Sequence, residues 1–244
     1  MPTPPPTPPP TPAATSTTQW PVATETIQFS VALVVAAGQT FDGGMKRYER
    51  LDLTCDKGKT ATNNDAVFIV QPGGVLRNVV IGDRSIVGVV CAEQNCVLEN
   101  VWSDGVCQAA VVVEKSVGTT TISGGGARGA SQRVVLHKAS GLVKITNFFT
   151  DSSTKLVESC ATCGPVKRTI NVVGVEAFHP TGPLISVNKN YKDEATIDGV
   201  KVISKGGVEV CVHYDGGKSP TQVSAGVASS LCQYAPSAIQ VING

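Results

Sequence analysis

Eight cysteines, three histidines and one glycine-rich run are the residues whose chemistry can be tested first. The cysteines are Cys55, Cys91, Cys96, Cys107, Cys160, Cys163, Cys211 and Cys232, and the close pairs 91/96 and 160/163 could hold zinc. Zinc fingers space such pairs regularly and belong mostly to small intracellular modules. An even number of cysteines fits disulfides, which imply an oxidising, extracellular compartment. Disulfides are the favoured reading and zinc the alternative. His137, His179 and His213 are scattered without an HxxxH spacing, so they read as surface or packed histidines. The GGGA run at 124–127 has no phosphate-loop lysine after it and reads as a tight turn.

The chain has 244 residues, 41% of them apolar but only 5% aromatic, so its core must be made of thin aliphatic layers, which suits β-structure. A formal net charge of +1 argues against a nucleic-acid binder held by phosphate contacts. No apolar run is long enough to span a membrane. The run Val31–Ala37 lacks the preceding basic residues of a signal peptide and reads as a buried strand. Residues 1–19 hold eight of the fifteen prolines and no charged side chain. Such a segment samples extended polyproline geometry and acts as a spacer, open to O-glycans on its threonines. The boundary is placed as a disordered leader over 1–23 and one folded domain over 24–244.

From about residue 70 the chain repeats itself. Leu76, Leu98, Ile122, Ile145, Ile170 and Ile197 head similar short segments at spacings of 22, 24, 23, 25 and 27. A period of this size marks a solenoid. Leucine-rich repeats would need more leucines, and helical repeats would need a 3.6-residue pattern. Short Val/Ile strands joined by Gly, Asn and Ser turns fit an all-β fold, a right-handed single-stranded parallel β-helix. Asn78, Asn100 and Asn147 recur at one register position and read as an internal polar ladder at a turn. Trp102 reads as packed beside a strand, with sugar stacking as the alternative.

Several blocks resemble the pectate lyases of polysaccharide lyase family 3: QTFDGGMKRYER (39–50), NDAVFIVQPGGVLRNVVIG (64–82), VLENVWSDGVCQAA (97–110), SGGGARGASQRVVLH (123–137), ITNFFTDSSTKLVESCATC (145–163) and LISVNKNYKDEATI (184–197). The resemblance implies a short parallel β-helix that cleaves polygalacturonate by β-elimination. Calcium, held by protein carboxylates, would bind the uronate and acidify its C5 proton. A basic side chain would remove that proton beside neighbouring cations.

Carried over position by position, the family's calcium carboxylates fall on Val87, Gln108 and Ala109, and its histidine on Val90. The catalytic lysine becomes Arg133, and a second lysine survives as Lys155. The arginine three residues further on becomes Glu158, and another lysine becomes Glu114 with Lys115 beside it. Close relatives of the family use arginine as base, so Arg133 and Lys155 are the catalytic candidates and Lys115 the substrate-binding one. Strand neighbours point to opposite faces, so Lys115 does not simply replace position 114. Calcium is the cofactor the family implies, yet a site without charged ligands binds it far more weakly. Asp83, Glu93, Asp104 and Glu114 are substitute ligands or, on the plainer reading, surface charges.

The resemblance also implies cysteine pairs 91–96, 160–163, 211–232 and 55–107, the last two closing the long loops. Two functions follow: a secreted pectate lyase acting on plant cell-wall pectin, or an inactive relative that binds pectic polysaccharide or acts as a decoy. Either is expected to be extracellular and monomeric, with pectic polysaccharide as its partner and neither nucleic acid nor membrane.

Overall fold

The computed structural model describes residues 20–55, 61–83, 85–93, 95–115, 117–224 and 228–244. The strands in chain order are β1 (Thr26–Phe29), β2 (Leu33–Val35), β3 (Thr40–Arg50), β4 (Ala66–Val70), β5 (Val75–Ile81), β6 (Val87–Cys91), β7 (Val97–Asp104), β8 (Ala109–Val113), β9 (Thr119–Arg128) and β10 (Arg133–His137). They continue as β11 (Gly141–Asp151), β12 (Val157–Ser159), β13 (Arg168–Phe178), β14 (Ile185–Asn188), β15 (Glu194–Ile203), β16 (Cys211–Asp215), β17 (Thr221–Ser224), β18 (Cys232–Gln233) and β19 (Ile239–Ile242).

From β1 to β16, odd and even strands separate into two sheets. One runs β1-β3-β5-β7-β9-β11-β13-β15-β18 with β19 also on β15, the other β17-β16-β14-β12-β10-β8-β6-β4-β2. The chain therefore alternates between sheets and advances one rung per coil. The pairings are parallel except β16–β17, and the architecture is the expected right-handed parallel β-helix. Among the described residues no helix is long and apolar enough to cross a membrane.

The core is a set of aliphatic ladders. Phe41, Leu76, Leu98, Ile122 and Ile145 are successive register partners. The ladder continues through Val172, not Ile170, to Ile197; Ile170 stacks on Val143 instead. The sequence alignment was thus two residues out in that coil. A slip of two preserves the inward face, because side chains alternate with period two, so the pattern of apolar residues cannot detect it.

The long strands of the first sheet turn a corner at a left-handed residue: Asn78, Asn100, Gly124, Asn147, Gly174 and Gly199 all have φ between +52° and +67°. Asn and Gly tolerate this conformation best, which explains their recurrence. The corner ladder is not internal: Asn78 and Asn100 are half-buried and Asn147 is exposed. Asn100 Nδ2 donates to Asn78 Oδ1 at 2.9 Å, and Asn78 Nδ2 donates to Asp42 Oδ1 at 3.1 Å. Asn147 stands between Gly124 and Gly174, so it has no side-chain rung on either side. Trp102 packs across Gly126, where an added Cβ would come within 2.8 Å of its ring. Its indole N–H donates to Asn100 Oδ1 at 2.7 Å, and Trp20 meets it edge to face at 5.1 Å.

Of the leader expected over 1–23, residues 1–19 lie outside the described residues, whereas Trp20 is placed against Trp102. The run Val31–Ala37 does contain a strand, but only Val35 in it is buried, and Val31 and Val34 are exposed. This strand is the last in its sheet, with a neighbouring coil on one side only, so the expected burial is not realised.

Candidate active-site groove

Two columns of side chains run up the outer wall of the second sheet. Register partners in the first column are Ala66, Val87, Ala109 and Arg133. The backbone N–H of Val134 donates to Lys155 O, which brings Lys155 to the next rung. In the second column, Ile69, Val90, Val112, Leu136, Glu158 and Ser186 are successive partners. The wall is therefore aliphatic over β4, β6 and β8 and becomes charged from β10 onward.

A strap described over residues 51–55 and 61–65 lies against the aliphatic part. Leu53 and Ala61 pack with Ala66, Val87, Val90, Ala109 and Val112 in a small outer cluster. Cys55–Cys107 ties the strap to the wall. The buried Arg50 guanidinium donates to the carbonyls of Asn64 and Ala66 and holds Asp52 through two further bonds. Asp65 closes the turn by accepting from Thr62 N–H and hydroxyl, both at 2.8 Å.

Beside the strap a groove of about 420 Å³ opens along the wall. Its described charged residues are Glu114, Arg133, Lys138 and Glu158, over a floor that includes Val90, Val112 and Leu136. Glu158 also borders a second depression of about 220 Å³, with Lys155, Ser186 and Tyr214.

Each of these cations faces a carboxylate. Glu158 Oε2 lies 2.9 Å from Lys155 Nζ and 3.1 Å from Arg133 Nε. The Lys155 contact is a hydrogen bond, whereas the Arg133 N–H is poorly aimed and makes none, so that contact is an ion pair only. Lys155 also sits 5.5 Å from the centre of the Tyr214 ring. Lys138 Nζ donates to Glu114 Oε1 at 2.5 Å. All five side chains are partly exposed.

Arg133 and Lys155 are thus brought together. Lys115 is not: it is exposed in the β8–β9 connection and does not line the groove. Lys138, which the motif comparison did not single out, is there instead, stacked one coil beyond Glu114. The spacing of 24 residues between the two, one solenoid period, was the available signal. Asp83 and Asp104 are engaged elsewhere, at 3.3 and 3.1 Å from Arg47. Burial and the bonds from Arg128 and Arg47 act in opposite directions on Asp104, and the bonds win, holding its carboxyl below the usual range.

The histidines lie apart. His137 points into the core, His179 contacts Asp151 at 3.1 Å, and His213 lies between the hydroxyls of Ser224 and Ser229 at 2.6 and 3.1 Å.

Comparison with known proteins gives this wall its context. The family described as pectate lyase matches residues 17–220. The chain belongs to the pectate lyase family. A probable pectate lyase E of Aspergillus clavatus is 40% identical over 201 residues, 80% of this chain and 76% of that protein. Pectate lyase H of Emericella nidulans is 39% identical over 202 residues, covering 81% and 76%. Among solved structures, the catalytic domain of pectate lyase PelI from Erwinia chrysanthemi superposes with a TM-score of 0.72 at 21% identity, over 90% of this chain and 98% of that one. PelI in complex with tetragalacturonic acid gives 0.67 at 22% identity, over 90% and 71%.

The pectate lyase disulfides are all formed as the resemblance implied: Cys55–Cys107, Cys91–Cys96, Cys160–Cys163 and Cys211–Cys232. Every cysteine is paired with another, so the zinc alternative is not realised. The calcium positions are a different matter. Val87 and Ala109 offer only alkyl groups, and both are buried in the outer cluster. Gln108 is buried too, and its amide carries no charge. The groove's carboxylates, Glu114 and Glu158, are already matched to cations. Among the described residues no three His, Cys, Asp or Glu side chains gather as a metal site. Calcium requires several charged or carbonyl oxygens around one point, and these residues do not fit it.

Proposed function

We propose that this chain is a secreted member of the pectate lyase family that binds pectic polysaccharide along the groove and has lost calcium-assisted β-elimination. The single observation that carries the reading is the column Val87–Ala109–Arg133. It retains the cation but has aliphatic groups at the positions where family carboxylates would hold the metal. The tetragalacturonic acid complex of a structural neighbour supports a galacturonan as the polymer. Disulfides support an extracellular protein, and monomeric action is part of the same reading.

A second reading, retained lyase activity, is favoured by one observation: Arg133 and Lys155 occupy one wall within reach of a shared carboxylate. In that reading Arg133 takes the C5 proton and Lys155 stabilises the charge that develops. One experiment separates them. The purified protein is mixed with polygalacturonate at alkaline pH, with calcium or chelator, and the ultraviolet absorbance of unsaturated uronide ends is followed. A silent assay together with measurable pectin binding is expected; calcium-dependent growth of absorbance overturns the proposal.

A further inference from the structure

We propose that Glu158 sets the selectivity of the groove, favouring neutral methyl-esterified galacturonan over the free-acid polymer. This rests on the reading of the groove as a pectic polysaccharide site and names the form of the polymer it takes.

A polymer of free uronates carries one carboxylate per sugar and needs unopposed cations or a bridging metal to be held. The described lining of the groove has two acidic and two basic side chains, Glu114 and Glu158 against Arg133 and Lys138. Each basic group lies within ion-pair distance of an acidic one. Lys155, at the edge, is held by the same oxygen of Glu158 that faces Arg133. An incoming uronate would have to share these cations with a carboxylate that already sits between them. Like charges at such separations repel strongly at a partly buried site. A methyl ester brings no such charge, and its carbonyl can still accept from a cationic donor.

Glu158 borders both depressions of the wall, so a chain running along them must pass it. It is the register partner of Leu136, the half-exposed aliphatic side chain of the groove, and the buried Val112 and Val90 back the wall beyond it. Aliphatic side chains accommodate an ester methyl group and penalise a bare carboxylate, which would lose hydration there without gaining a partner. The feature that disqualifies the groove as a calcium site therefore suits it to an uncharged ligand.

The test compares equilibrium binding of polygalacturonate and highly methyl-esterified homogalacturonan of matched length, in chelator, to the whole chain. Wild type is expected to prefer the esterified polymer by about tenfold, with little dependence on salt. In Glu158→Gln, which keeps the side-chain shape, that preference should fall by about tenfold as Arg133 and Lys155 become available to uronates. Tighter binding of polygalacturonate by wild type overturns the proposal without any variant. So does an unchanged ratio in a Glu158→Gln protein whose melting curve matches wild type. Failure of wild type to bind either polymer overturns the pectic-site reading itself.

Discussion

Val87 and Ala109 are register partners on adjacent parallel strands, both buried in the cluster under the strap, and Arg133 is the next partner in line. The positions onto which the resemblance carries the family's metal carboxylates are thus side by side here. The variant Val87→Asp/Gln108→Glu/Ala109→Asp should bind calcium far more tightly than wild type. In chelator it should lose about 3 kcal/mol, since buried carboxylates then lack partners. Calcium at about a hundred times its Kd should return about 2.7 kcal/mol. Titration calorimetry and paired thermal melts read both effects, and micromolar calcium binding by wild type would contradict the fit argued above.

The four disulfides should contribute unequally. Cys55–Cys107 spans 52 residues and Cys160–Cys163 only 3. Constraint of the unfolded chain predicts about 4 kcal/mol for the first and about 1.6 kcal/mol for the second. Replacing each pair with serine and comparing urea midpoints tests this ordering. Loss of the longer bridge should also raise hydrogen exchange in the strap over 51–55 and 61–65, because it anchors that segment to β8.

Asn100 combines a left-handed backbone, φ +54°, with three side-chain contacts to Asn78, Met45 and Trp102. Asn100→Gly keeps the backbone freedom and loses only the contacts, whereas Asn100→Ala loses both. The alanine variant should be less stable by about 1 kcal/mol than the glycine one, the reverse of their order in an ordinary strand. Equal stability would show that the corner geometry carries no conformational penalty.

His137 supplies a pH dependence. Burial lowers its pKa to about 4, against the opposing effect of its bond to the Gly141 carbonyl. In the unfolded chain the group titrates near its ordinary value of about 6.5. The folded state therefore binds fewer protons, and stability is full above about pH 6.5 and falls as pH drops toward about 4. The loss amounts to about 3 kcal/mol. His137→Gln should flatten this part of the stability–pH curve, and an undiminished slope in that variant would assign it to other groups.

The solenoid was legible because its period repeats in the residues that face inward, and inward positions tolerate little besides aliphatics. What the period could not give was register in the coil containing Ile170, since a shift of two keeps the same face. Arg133 and Lys155 were legible through motif resemblance, each standing at a position with family neighbours on both sides. Lys138 was not, because no motif marks it and only its one-period offset from Glu114 connects them. The strap was invisible for a physical reason: its described residues, 51–55 and 61–65, have no periodicity, and a covering segment is defined by what it touches rather than by its own pattern. Val87, Val90 and Val112 likewise read as strand residues, and nothing in their identity says that they face outward.

The alternation of rungs has a historical consequence. Each member of the outer column comes from a different turn of the coil, while the inner ladders are built from other positions on the same strands. Changes at 87, 109, 133 and 158 could accumulate one at a time, each tolerated by a scaffold whose interior it did not disturb. A face built this way can be altered one rung at a time while the interior that carries it stays the same.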